Sequence, residues 1–142
     1  MVKLLIGHKG SGKTSKMVEL ANSSLNTVKG SVVFINKNQR LIYDLKYSIR
    51  VVCMEEYESI TNIDEYIGFI LGIISQDHDI ELIFIDSILK HADVSINNLE
   101  DFFERLDGIS KKYGPDFIVS VSAGEDELGD YIKKYELVEH HA

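Results

Sequence analysis

Short, almost uninterrupted apolar runs alternate along the chain with longer stretches in which apolar residues recur at helical spacing. Five runs have strand length: Val2 to Ile6, Ser31 to Ile35, Ile49 to Met54, Glu81 to Asp86 and Asp116 to Ser122. Continuous rather than alternating apolar character is what strands need when both faces of their sheet are covered, so the pattern predicts a parallel sheet. Between the runs, Met17, Leu20, Ala21 and Leu25 mark a helix stopped by Gly30. Leu41, Ile42 and Leu45 suggest a short helix, and Ile63, Tyr66, Ile67, Ile70 and Ile74 a longer one. Asn62 with Glu65 three residues on has the spacing of a capping box for the longer one. Leu99, Phe102, Phe103, Leu106 and Ile109 define another helix, ended by Gly114 and then Pro115. A last helix is expected from about Glu125 to Tyr135. The alternation, free of repeats and linkers, implies one α/β domain over residues 1–142, a three-layer αβα sandwich around a five-stranded, mainly parallel sheet.

The junction of the first strand and first helix carries chemistry. Gly7 to Thr14 read GHKGSGKT, the G-x-x-x-x-G-K-[ST] spacing of a phosphate-binding loop, or Walker A motif. Gly7, Gly10 and Gly12 permit backbone conformations closed to other residues, so that successive N–H groups, including those of His8, Lys9 and Ser11, turn toward an anion. Lys13 adds a point charge for the β- and γ-phosphates, and the Thr14 hydroxyl is a ligand for Mg²⁺. The helix that starts there contributes free N–H donors and the positive end of its dipole. Far downstream, Glu81-Leu-Ile-Phe-Ile-Asp86 is a buried-strand pattern ending in a carboxylate, the Walker B signature that brings Asp86 to the same metal. The two motifs together predict binding of ATP or another nucleoside triphosphate with Mg²⁺.

Composition narrows the remaining classes. The chain has 142 residues, a formal net charge of −8, a pI near 5.0 and only three arginines, Arg40, Arg50 and Arg105. Such a balance repels nucleic acid and anionic membrane, and Lys111-Lys112 and Lys133-Lys134 read as solvated helix faces. Cys53 is the only cysteine, which excludes an intrachain disulfide and a thiolate metal cluster, and its apolar neighbours make it a core residue. The amino terminus runs straight into the first strand, leaving no room for a signal peptide, and the apolar segment from Tyr66 to Ser75 is too short to cross a bilayer. A cytoplasmic protein is the expectation. His140 and His141 near the end read as a frayed tail rather than a metal site.

With these residues in place the chain resembles the RecA-like ATPases. Leu82-Ile-Phe-Ile-Asp86-Ser87 looks like the Walker B strand of that family, and Val33-Phe-Ile-Asn-Lys-Asn38 resembles the segment that ends there in a catalytic glutamate. The resemblance implies a strand order 3-2-4-5-1 and a polar sensor on the strand after Walker B. Ser120 and Ser122 alternate with apolar residues there, and Ser122, at the strand end, is the sensor the resemblance favours. It also implies Lys13 and Asp86 as catalytic residues and places Asn38, which cannot act as a base but can orient water, at the glutamate position. Glu55 and Glu56, after the third strand, are substitutes for it. An arginine finger would come from Arg40, Arg50 or Arg105 of a neighbouring subunit, or from a protein partner. The expected function is an ATP-binding switch or a weak, partner-stimulated ATPase. A nucleotide or small-molecule kinase is the alternative, although no arginine-bearing lid is visible.

Overall fold

The computed structural model describes residues 1–140. Six strands and three α-helices alternate in the order β1 (Val2–Gly7), α1 (Lys13–Ser24), β2 (Ser31–Asn36), β3 (Arg50–Cys53), α2 (Ile63–Gln76), β4 (Ile80–Ile85), α3 (Leu99–Tyr113), β5 (Asp116–Ser122) and β6 (Glu136–Leu137). They form one sheet in the order β3-β2-β4-β5-β1-β6, every neighbouring pair parallel. The first five strands therefore take the 3-2-4-5-1 order that the RecA-like resemblance implied.

Successive strand residues point to opposite faces, and each face is apolar. Val33, Ile35, Ile83 and Ile85 join Val2 and Leu4 in the core under α2 and α3. Leu5, Val32, Phe34, Phe84 and Ile118 meet Met17 and Ala21 of α1 on the other side, where the Phe34 and Phe84 rings stack with centroids 5.8 Å apart. Burying both faces explains why the runs carry no polar alternation. Helix α2 begins as its sequence predicts: Asn62 Oδ1 accepts from the Glu65 N–H at 2.9 Å. The Glu65 carboxylate reaches back one residue further than a capping box requires, to the Thr61 N–H at 2.8 Å. Helix α3 ends at Gly114, whose φ of +105° is open only to glycine at low cost. No helix among the described residues is long and apolar enough to cross a membrane.

Three expectations need correction. The sheet has six strands, not five: Glu136 and Leu137 pair with Lys3 and Leu4, and the Val138 N–H bonds the Leu4 carbonyl at 2.8 Å, covering the outer edge of β1. Two exposed residues, one of them charged, carry no apolar run by which a strand could be read. The segment from Glu125 to Tyr135 is not an α-helix but two 3-10 turns, Glu125–Glu127 and Asp130–Lys134, separated at Gly129. Leu128 and Ile132 imitate helical spacing because both are buried beside α3. Leu41 to Leu45 likewise form turns, in which the Leu45 N–H bonds the Leu41 carbonyl at 3.1 Å. So few residues cannot offset the cost of helix nucleation, and Leu45 is anchored by burial under α1 instead.

Candidate phosphate and metal site

Strands that run parallel deliver their carboxyl ends to one edge of the sheet, and the Walker motifs meet there. The loop from Gly7 to Gly12 links β1 to α1. Gly10 and Gly12 lie at φ +83° and +86°, and a Cβ on Gly7 would stand 2.8 Å from Ser11 Oγ, so the turn is wound too tightly for larger residues. Gly12 caps α1 without offering a side-chain acceptor, and the first turn of α1 carries no acidic residue. The helix thus keeps its N–H donors and its positive dipole end for an anion. Lys13 is buried, and its ammonium donates back across the loop to the His8 carbonyl at 2.8 Å and to Ser11 Oγ at 3.4 Å. Burial pulls its pKa below the ordinary lysine value; the Asp86 carboxylate opposes that shift and the Lys90 charge adds to it.

Asp86 directly follows β4 and is only 2% exposed. Thr14 Oγ1 donates to its Oδ2 at 2.9 Å, which joins the end of Walker A to Walker B across 72 residues of chain. Its other oxygen, Oδ1, accepts from Ser120 Oγ at 2.7 Å, and that hydroxyl accepts in turn from the Ser87 N–H at 2.7 Å. Ser87 adopts a left-handed conformation, φ 57° and ψ 57°, a strain of about 1–2 kcal/mol for a residue with a Cβ. That turn aims its N–H back at Ser120.

Beneath Asp86, His91 is completely buried, with Nε2 2.7 Å from the Asp86 carbonyl and Nδ1 3.1 Å from the Tyr66 hydroxyl. A carbonyl only accepts, so Nε2 carries the proton and Nδ1 accepts from Tyr66. Burial drives the His91 pKa down to about 4, so the ring is neutral, and burial raises the Tyr66 phenol. A chain of bonds therefore runs from α2 through Tyr66 and His91 to the backbone of Asp86.

Thr14 and Asp86 are the two groups able to hold a metal here; no cluster of three or more His, Cys, Asp or Glu side chains suited to a metal occurs among the described residues. That donor set fits Mg²⁺, which is bound through one or two protein ligands and completes its shell with phosphates and water.

The remaining expected site residues scatter. Asn36, buried at the end of β2, donates from Nδ2 to the Asn38 carbonyl at 3.0 Å, and Asn38 Oδ1 accepts from the Arg40 N–H at 3.0 Å. Asn38 shares a cleft of about 210 Å³ with Thr14, Asp86 and the cations Lys37, Arg40 and Lys90. Glu55 lies exposed in the turn after β3, in a separate cleft beside Glu58, while Glu56 hydrogen-bonds the Gln39 amide. Ser122 sits opposite Gly7 in the β1–β5 register, and Ser120 is the serine that bonds Asp86. Arg50 opens β3 at the amino-terminal edge of the sheet, and Arg105 pairs with Asp64 at 2.7 Å. Of the three arginines, Arg40 is therefore the one at the cleft. His140 donates from Nε2 to the Ser11 carbonyl at 2.5 Å, so the described end of the chain rests on the phosphate loop; His141 lies outside the described residues. His91 and Tyr66 carry no motif by which sequence could find them, whereas Ser120 is visible as a polar position in an apolar strand.

No family model matches this sequence, and no curated protein matches it. Among solved structures it is similar to the flagellar accessory protein FlaH from Methanocaldococcus jannaschii, with a TM-score of 0.54 at 14% identity. The match covers 94% of this chain and 65% of that one, so the chain spans about two thirds of its neighbour's length. At that identity the likeness establishes the fold alone, a parallel α/β sheet with helices on both faces.

Proposed function

We propose that the chain binds ATP, or another nucleoside triphosphate, with Mg²⁺, and acts as a nucleotide-dependent switch or a weak, partner-stimulated ATPase. The observation that carries this reading is the meeting of Thr14 and Asp86 at 2.9 Å beside an uncapped helix start and a buried lysine. In this reading the loop N–H groups from His8 to Thr14 hold the β- and γ-phosphates, and Lys13 neutralises them. Thr14 and Asp86 hold Mg²⁺, which when bound withdraws charge from the phosphate oxygens. Ser120, Ser87 and His91 act one step removed, holding the Asp86 carboxylate and backbone in place.

Slow turnover follows from the acid–base inventory. Hydrolysis needs an oriented water and a group to steer its proton. Asn38 can orient water without accepting a proton, and the carboxylates of Glu55 and Glu56 lie outside the cleft, that of Glu56 bonded to the Gln39 amide. Phosphoryl transfer to an acceptor other than water, as in a kinase, is a second reading, favoured by the cations that line the cleft beside Asp86.

Calorimetry with MgATP and MgGTP on wild type and Lys13→Ala, with phosphate release followed in the same samples, tests the proposal. Tight binding lost in Lys13→Ala, with turnover far below one per second, is the expected result. Absence of binding by the folded wild-type chain would refute it.

A further inference from the structure

The cleft next to Asp86 is a place of its own. Its wall includes Thr14 and Asp86 but none of the loop residues from Gly7 to Lys13, so it extends from the metal ligands away from the phosphate cradle. Its volume of about 210 Å³ has room for several water molecules, more than a terminal phosphoryl group fills.

The lining is cationic in an acidic chain. Lys37 and Arg40 come from the loop after β2 and Lys90 from the turn after Asp86. None of the three takes part in a salt bridge among the described residues, although the chain carries 23 acidic side chains and five lysines elsewhere, Lys3, Lys16, Lys111, Lys133 and Lys134, do pair. Lys37 also borders the neighbouring cleft that holds Glu55 and Glu58, yet it pairs with neither. Asn36 and Asn38, tied to one another and to the Arg40 backbone, fix the loop that presents Lys37 and Arg40. Three cations around the single carboxylate of Asp86 leave the cleft net positive, and a bound anion lowers the cost of their repulsion.

From this we infer that the cleft holds a second small ligand bearing an oxyanion, a phosphate ester or a carboxylate, next to the terminal phosphate of the bound nucleotide. The inference rests on the nucleotide reading above and deepens its kinase branch. The chemistry of the acceptor then agrees with what the cleft lacks. An ionised oxygen carries no proton that must be removed, so no general base is needed. Its electron pair would form the bond to the terminal phosphorus as the bond to the β–γ bridging oxygen breaks, and that oxygen would leave with the bonding pair on the nucleoside diphosphate. Lys37, Arg40 and Lys90 would hold the acceptor against the repulsion of two anions.

The test uses the full chain saturated with Mg²⁺ and the non-hydrolysable analogue AMP-PNP, into which ribose 5-phosphate or succinate is titrated at low salt while backbone amide shifts are followed by NMR. The expected result is saturable shifts confined to the loop after β2 and the turn after Asp86, with the analogue still bound. Affinity should fall by about tenfold or more in Lys37→Ala/Lys90→Ala, as expected for lost charge-assisted bonds, and stay unchanged in the charge control Lys133→Ala. The ribose 5-phosphate arm and the succinate arm distinguish a phosphate ester from a carboxylate. If the analogue binds and neither probe does, or the analogue displaces both, the cations serve the nucleotide alone and the inference is overturned while the nucleotide reading stands. If the analogue itself does not bind, both fall. Lys37 and Lys90 are exposed, so the double variant should retain the fold, which its amide spectrum checks.

Discussion

Between pH 7 and pH 4, one buried residue should carry a distinct share of the pH dependence of stability. His91 has its pKa lowered from 6.5 to about 4, first of all by burial, partly offset by its bond to the Asp86 carbonyl. The unfolded chain takes up a proton at this position as pH falls through 6.5, whereas the folded chain resists until about 4. The stabilising contribution of a neutral His91 is therefore complete above pH 6.5 and is lost progressively between 6.5 and 4. A difference of some 2.5 units at 1.36 kcal/mol each gives a loss of about 3 kcal/mol, a large part of the roughly 5–15 kcal/mol of a typical domain.

Urea unfolding at a series of pH values, without nucleotide or Mg²⁺, measures this in wild type and in His91→Gln. The variant should be less stable at neutral pH, because the Asp86 carbonyl and the Tyr66 hydroxyl lose a well-placed partner. The gap between the two proteins should close by about 3 kcal/mol on going from pH 7 to pH 4. Carboxylates such as Asp77, held below its ordinary range chiefly by the Asp79 N–H, titrate in both proteins and cancel in the difference. Parallel curves, or an NMR titration of the His91 ring near 6.5, would refute the reasoning and with it the buried bond between His91 and Asp86.

Other substitutions read other parts of the site. Ser120→Ala strips a partner from the buried Asp86 carboxylate and from the Ser87 N–H at once; a destabilisation of about 2 kcal/mol and weaker Mg²⁺-dependent nucleotide binding are expected, while Ser122→Ala should spare Mg²⁺ dependence. Gly12→Ala forces a side chain into φ +86° and should cost about 1–2 kcal/mol in thermal unfolding, together with nucleotide affinity; an unchanged melting temperature would contradict the loop conformation. Arg105→Ala breaks an ion pair with the exposed Asp64 and should cost less than about 1 kcal/mol with no change in phosphate release, whereas Arg40→Ala should alter phosphate release at unchanged stability.

What could be read in the sequence was what is local in it. Residues 7–14 state the tight glycine-rich turn between β1 and α1 in eight consecutive letters, and the apolar runs state five strands because burial of both faces leaves no room for polar alternation. Asp86 was legible for the same reason, as the residue at which such a run stops. Which of Ser120 and Ser122 bonds Asp86 was not, because alternation places both on one face. Register decides it: Ile85 lies beside Val119, which sets the next residues, Asp86 and Ser120, side by side and carries Ser122 on to Gly7. His91 and Tyr66 lie 25 residues apart on different elements, and their meeting under Asp86 depends on how α2 packs against the sheet. Strand β6 depends on an edge that β1 offers rather than on any property of Glu136 and Leu137.

The same geometry bears on Asn38, which the RecA-like resemblance set at the position of a glutamate. The carboxylate inside the cleft, Asp86, accepts from Thr14 on one oxygen and from Ser120 on the other, and on the proposed reading it is committed to Mg²⁺ rather than to a proton. A glutamate at position 38 would stand among Lys37, Arg40 and Lys90 and would neutralise the charge available to phosphate oxygens as readily as it would activate water. With asparagine there, that charge remains directed at anions. On the proposed nucleotide reading, such a site would hold a nucleoside triphosphate rather than split it with water, and its cations would act on a transferring phosphoryl group once an ionised acceptor, or a carboxylate from a partner, supplied what Asn38 does not.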